Sequence, residues 1–141
     1  MPCSIRTEVK KDNRIVYKGQ LPRDEVLKLQ KTATVLVNPR QNNEDFTKYS
    51  FPSKNLEYLS SGVPLVAYKL DGIPCEYANY IRFVEDNSDQ SLADALIEIC
   101  ELTDEERKKI GKKAREFVLN EKNDKVQVKK VIDYLKSVEV I

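Results

Sequence analysis

The residues with the clearest chemical potential are a serine, a lysine and a glutamate within about one helical turn. Pro52 and Ser53 predict a helix start, and Lys54 follows in its first turn. A helix N-terminus offers unpaired N–H groups and a partial positive charge, so Ser53, Lys54 and the preceding amides are suited to hold a diphosphate. Glu57 lies four residues after Ser53, where its carboxylate can accept hydrogen bonds from the vicinal hydroxyls of a ribose.

The same residues also allow a structural interpretation. A serine and a lysine at a helix start are common as a cap and a solvated charge, and Glu57 can be an ordinary surface residue. An anion site at a helix N-terminus is formed by backbone amides, so few side chains are needed to make one. The residues alone therefore leave both interpretations open.

Composition excludes several classes of protein. The chain has 141 residues, which fits one domain, and its charges nearly cancel to +1, so no overall field favours nucleic acid as a partner. There is no histidine, which removes the Ser-His-Asp triad and imidazole metal ligation. Cys3, Cys75 and Cys100 are far apart and contain no C-x-x-C pair, so we expect reduced thiols rather than disulfides or a zinc site.

The chain also lacks the patterns of membrane insertion and secretion. No apolar run approaches the roughly 20 residues that span a bilayer. The N-terminal MPCSIRTEVKK has no apolar stretch of the kind found in secretory signals. These patterns predict a cytoplasmic location.

The elements around the candidate helix follow an alternating pattern. Apolar β-branched runs alternate with amphipathic segments, which predicts an α/β fold with a mostly parallel sheet. Strands are predicted at 14–17 (RIVY), 34–37, 63–68 and 81–84. Pro22 is predicted in the first turn of a helix whose apolar face contains Val26, Leu27, Leu29 and Ala33.

The candidate helix is predicted at the ligand-binding edge of this sheet. A long polar connection, residues 40–51, follows the carboxyl end of the strand at 34–37. Open α/β sheets bind ligands at that edge. Ser61 and Gly62 should end the helix that begins at Pro52.

Residues after about 85 are predicted to be helical. Ser88 can cap one helix, and Thr103 with Glu106 forms a capping box for a second helix that runs to about Asn120. The apolar residues after 125 have helical spacing, which predicts a last amphipathic helix ending near Ser137.

Three segments together resemble a known family. FPSKNLEYLSSGVPLVAY, with RIVYKGQLPRDEVLKLQKTATVLVNPR upstream and DGIPCEY downstream, resembles the C-terminal domain of family 4 retaining glycosyltransferases of the GT-B fold. The resemblance runs from about residue 14 to residue 120. It implies a Rossmann-like three-layer fold with C-terminal helices, which binds a nucleoside-diphosphate sugar between two domains without a metal ion or other cofactor.

The resemblance also assigns substrate-binding residues. Glu57 matches the glutamate that holds the donor ribose. Residues of the turn and helix start, whose amides hold the diphosphate, are matched by Ser50, Phe51, Pro52, Ser53 and Lys54. A loop near the nucleobase is matched by Gly19, Gln20 and Leu21.

One departure from the family concerns the transferred sugar. Many members carry a glutamate eight positions before the ribose-binding one, and Tyr49 stands there instead. Glu44 and Asp45 in the same loop could approach the sugar, although loop carboxylates are more often solvated. We therefore assign no catalytic residue.

A second departure concerns the start of the chain. Family members have a further strand, helix and strand here, with a glycine-rich turn and an Arg or Lys pair that neutralises the leaving diphosphate. No such stretch precedes residue 14. We expect an N-terminally truncated part of the nucleotide-sugar-binding domain, which lacks the acceptor-binding N-terminal domain and cannot transfer sugar alone.

In the full-length enzyme, the resemblance implies transfer to a glycan or lipid-linked acceptor in polysaccharide biosynthesis, at the inner face of the membrane. Two rival functions are considered. A non-catalytic α/β protein-interaction module would use the long loop for binding, and a sugar epimerase would depend on histidines that are absent. An apolar patch exposed by the missing strands could also drive self-association.

Overall fold

The computed structural model describes residues 3–41 and 45–138 of the chain. Within these ranges the helices are α1 (Cys3–Lys11), α2 (Arg23–Thr32), α3 (Ser53–Ser61), α4 (Asp89–Glu101), α5 (Asp104–Glu121) and α6 (Asp124–Ser137). The strands are β1 (Leu36–Asn38), β2 (Leu65–Tyr68) and β3 (Ile81–Val84). Two 3-10 helices lie at Asp45–Lys48 and Cys75–Asn79.

The three strands form a parallel sheet in the order β1-β2-β3. Leu65 of the central strand pairs with Leu36 on one side and with Ile81 on the other. All four residues of β2 are buried, as expected for a parallel strand covered on both faces. The α/β prediction is confirmed.

Helices cover both faces of the sheet, which makes three layers. On one face Leu59 of α3 and Phe117 of α5 pack against Leu65 and Ile81. On the other face Val66, Tyr68 and Val84 pack against α4 through Ala95 and Ile99. This arrangement confirms the Rossmann-like, three-layer fold class.

Helix α3 is held in place at its end by a close backbone contact with α5. Gly62 has φ 81°, a left-handed conformation that ends α3 as predicted. A Cβ atom on Gly111 would lie 1.8 Å from the carbonyl oxygen of Gly62, so only glycine allows this approach. Arg115 of α5 also donates a hydrogen bond to the carbonyl oxygen of Ser60, at 2.5 Å.

The predicted strand at residues 14–17 is wrong. Arg14 lies in a turn and residues 15–17 have no regular secondary structure, and Ile15, Val16 and Tyr17 are all exposed. A strand is stabilised by hydrogen bonds to a neighbouring strand, and β1 pairs only with β2 among the described residues. Without a neighbour, the apolar residues of this segment do not become part of a sheet.

The other predicted elements are present, with small shifts at their ends. Strands β1 and β2 each begin two residues later than predicted, and Pro22 lies at the N-cap of α2. Ser88 caps α4 by accepting from the Ser91 amide at 3.1 Å. The capping box of Thr103 and Glu106 opens α5, and α6 ends at Ser137. No helix in the described ranges is long and apolar enough to cross a membrane.

Candidate functional site

The start of α3 lies beside the carboxyl end of β1. Asn38, the last residue of β1, donates a side-chain hydrogen bond to the Asn55 amide oxygen at 2.6 Å. Asn55 is in the first turn of α3 and is fully buried. This bond joins the strand end to the helix start, so α3 begins at the edge of the sheet where open α/β domains bind ligands.

The backbone at the start of α3 is open for hydrogen bonding. Pro52 is the N-cap residue and provides no side-chain cap, and the Asn55 amide bonds the Pro52 carbonyl at 2.9 Å. Ser53 and Lys54 are exposed, and their amides have no hydrogen-bond acceptor within the described part of the chain. Free amides at a helix start can bind an anion.

The turn before α3 is packed against the rest of the domain. The ring of Phe51 lies 4.8 Å from that of Tyr77 in the core, and Pro52 is buried. Gly72 approaches closely from the next loop, where a Cβ would lie 2.8 Å from the Ser50 carbonyl oxygen. The Phe51 and Pro52 side chains therefore support the turn. Since Pro52 has no N–H, the Phe51 amide is the backbone donor that these two residues can offer an anion.

Glu57 is the centre of a polar cluster between α2 and α3. Its Oε1 atom accepts from Gln30 Nε2 at 2.7 Å and from Lys54 Nζ at 3.0 Å. Its Oε2 atom lies 3.6 Å from Arg23 Nη2. The Glu57 side chain is 17% exposed, whereas the side chains of Arg23 and Lys54 are mostly exposed.

These contacts keep the carboxylate ionised. The hydrogen bond from Gln30 lowers the pKa of Glu57 most, followed by the bond from Lys54, and both outweigh the opposing effect of partial burial. The Glu57 carboxylate is therefore a negatively charged group in a defined orientation, one turn inside the start of α3. Its remaining accepting capacity is on Oε2, because the Arg23 contact is longer than a hydrogen bond.

Sequence reasoning missed two members of this cluster. Gln30 follows Val26 and Leu27 by four and three residues, so it falls on the apolar face of α2 and is 6% exposed. A polar residue at such a position is a signal that could have identified it. Arg23 is an exposed residue at the start of a helix, and no pattern distinguishes it from other surface arginines.

The predicted nucleobase loop precedes α2. Gly19 has φ 67°, a left-handed conformation that favours glycine, and Gln20 is exposed. Leu21 is half-buried and lines an open cavity of about 560 Å³ on the outer side of α2. The loop is close in sequence to Arg23, but no described contact joins Gly19, Gln20 or Leu21 to Glu57.

The loop after β1 contributes no described contact to the cluster. Asp45 begins a 3-10 helix and pairs with Lys48 at 3.2 Å, with its side chain almost fully exposed. Tyr49 is also exposed. Glu44 lies outside the described residues. The hypothesis that Glu44 or Asp45 could approach a donor sugar stays a prediction.

The parallel sheet covered by helices, with a polar helix start at its carboxyl edge, defines a Rossmann-like domain. The family of glycosyl transferases group 1 matches residues 4–117, which is most of the chain. The chain therefore belongs to this family of glycosyltransferases. No curated protein and no solved structure shows a significant match to it.

Proposed function

We propose that this chain forms part of the donor-binding domain of a retaining, family 4-like glycosyltransferase, and that it binds a nucleoside-diphosphate sugar at the start of α3. The observation that carries the proposal is the ionised Glu57 carboxylate, held one turn inside a helix start whose first two amides have no acceptor among the described residues. Membership of the glycosyltransferase family supports the assignment of a sugar donor.

The diphosphate is proposed to bind at the N-terminus of α3. The amides of Ser53 and Lys54 point out of the helix start and favour an anion. An ammonium group has three N–H donors, and Lys54 uses one of them on Glu57. It can therefore hold Glu57 and a phosphate oxygen together. When the nucleoside diphosphate departs, negative charge grows on its oxygens, and these groups would stabilise it.

The ribose is proposed to bind at Glu57. An ionised carboxylate accepts hydrogen bonds from the two vicinal hydroxyls of a ribose. Among the described residues, Oε2 has no closer partner than Arg23 at 3.6 Å. The loop of Gly19, Gln20 and Leu21 is proposed to lie near the nucleobase, since it leads directly into α2.

The remaining proposals concern the whole enzyme. The acceptor is proposed to be a glycan or lipid-linked molecule that binds to a separate N-terminal domain, with no metal ion required. The enzyme is proposed to act in polysaccharide biosynthesis in the cytoplasm, at the inner face of the membrane. The chain alone is expected to bind the nucleotide weakly without turnover.

The first prediction tests the role of Glu57 in nucleotide binding. In calorimetric titration with nucleoside diphosphates, Glu57→Ala should weaken binding by about 1–3 kcal/mol, because the ribose hydroxyls lose their acceptor. Glu98→Ala is the matched control, since Glu98 is also paired with an arginine, at 2.7 Å, but lies on α4. Equal affinities for the parent and Glu57→Ala would reject the proposed ribose site.

The same titration followed by NMR separates the proposal from its main alternative. Shifts of the Ser53 and Lys54 amides on adding a nucleoside diphosphate support donor binding. A spectrum that does not change with any nucleotide would favour the protein-interaction module.

A further inference from the structure

Gln30 is a buried polar residue that packing does not explain. It is 6% exposed, on the side of α2 that faces α3. Its side-chain oxygen is buried and has no hydrogen-bond partner in the described part of the chain. A buried amide oxygen without a donor destabilises a fold, whereas a methionine of similar length would fill the space without that cost.

The orientation of the Gln30 amide follows from its neighbour. Glu57 is ionised and can only accept hydrogen bonds, so the NH₂ group of Gln30 must face it, as the 2.7 Å contact has it. Turning the amide over would place its oxygen against the carboxylate. The unpartnered oxygen is thus a consequence of holding Glu57.

The two oxygens of Glu57 have different surroundings. Oε1 accepts both hydrogen bonds, from Gln30 and from Lys54. Within the described ranges, Oε2 has only the 3.6 Å contact to Arg23, whose side chain is 80% exposed. One oxygen is held by the protein, and the other keeps its capacity to accept from a ligand.

We propose that Gln30 is a positioning residue that holds Oε1 of Glu57 and so directs Oε2 at the ribose hydroxyls of the donor. This inference rests on the proposed function. The Lys54 side chain, which makes the other bond to Oε1, is mostly exposed. Its positive charge also attracts phosphate oxygens. The Gln30 bond is shielded from solvent and uncharged on the donor side, so it holds Oε1 even where Lys54 also binds the diphosphate.

The test is Gln30→Met in the full chain, titrated with UDP, GDP, ADP and CDP and with their 2′-deoxy counterparts. For the nucleotide that binds the parent, affinity should fall by about 10-fold, while its 2′-deoxy counterpart should bind almost unchanged. The melting temperature should fall only slightly, because the variant loses the bond to Glu57 together with the unpartnered oxygen. Gln90→Met is the matched control, since it removes another glutamine-to-carboxylate bond, at 2.8 Å to Asp94, on the exposed side of α4.

A second measurement follows the Glu57 carboxyl carbon by NMR titration in the parent and in Gln30→Met. The pKa of Glu57 should rise in the variant, because the lost bond is the main cause that lowers it. An unchanged pKa, or an unchanged preference for the ribonucleotide with the parent fold intact, overturns the positioning role. If no nucleotide binds the parent, the proposed function fails, and the carboxyl titration alone decides whether Gln30 holds Glu57.

Discussion

Two short apolar segments of this chain have similar sequences and different structures. Residues 14–17 read RIVY, and β2 reads LVAY. Val66 in β2 is fully buried, with strands on both sides and helices on both faces. Val16 is 69% exposed, and no strand of the described residues lies beside it. The comparison teaches that β-branched composition permits a strand, but neighbouring strands create it.

The two regions also hold a carboxylate in different ways. Asp12 lies just before the RIVY segment, in an exposed turn. The side chain of Arg14, the first residue of that segment, lowers the pKa of Asp12. Beside the sheet, the pKa of Glu57 is lowered mainly by Gln30, which is 27 residues away in sequence and on another helix. One pair needs only a local turn, and the other requires the packed fold.

The largest expected effect comes from adding one methyl group to the packed region. In Gly111→Ala the new Cβ would clash with the Gly62 carbonyl oxygen, so α3 and α5 must separate. We expect a loss of at least about 3 kcal/mol in the free energy of unfolding, which exceeds the gain of about 1 kcal/mol in helix propensity.

The control for this prediction is Gly19→Ala in the exposed region. A Cβ there meets no atom within 4 Å, and only the φ of 67° opposes it, so about 1 kcal/mol should be lost. Denaturant unfolding measures both variants. Equal losses would show that the two regions are packed alike.

A matched valine pair tests the comparison directly. Val66→Ala should lower the free energy of unfolding by about 2 kcal/mol, because it removes buried methyl groups from a close-packed core. Val16→Ala should change it by less than about 0.5 kcal/mol, as is usual for surface sites. A comparable loss at Val16 would mean that the RIVY segment is buried in solution, for example in an oligomer.

The smallest expected effect is the pH dependence of stability at the two carboxylates. The pKa of Glu57 is lower when folded than the ordinary 4.5, so its stabilising contribution is complete above that value and is lost as pH falls through the folded pKa. Glu57→Gln should therefore have a lower unfolding free energy than the parent at about pH 6, and the difference should shrink as the pH falls below 4.5.

Asp12→Asn is the control for this pH dependence. The pKa of Asp12 is also lowered, so the sign is the same, but its exposed pair with Arg14 should contribute less than the Glu57 cluster. A larger pH effect at Asp12 than at Glu57 would contradict the difference drawn between the local and the tertiary pair.

Much of the fold could be predicted because its signals are local. The caps at Ser88 and Thr103, the glycine that ends α3 and the apolar run of β2 each depend on a few neighbouring residues. The chemistry proposed for Ser53, Lys54 and Glu57 came from their spacing on one helix, together with the family resemblance. The structure describes that helix as predicted.

Other features could not be read from neighbouring residues. The RIVY segment has the composition of a strand, and only the absence of a neighbouring strand in the described fold left it exposed. The need for glycine at 111 became visible only when α5 was seen to cross the end of α3.

The sequence by itself determined the helix ends, the central strand and the three residues at the start of α3, because caps and hydrophobic runs act over one or two turns of chain. Only the tertiary structure decided which oxygen of Glu57 is held and which stays open. That choice depends on Gln30 and Arg23 of α2, brought to α3 by packing. Hydrogen-bond geometry between separate helices is set by their relative placement, which no local pattern of residues encodes.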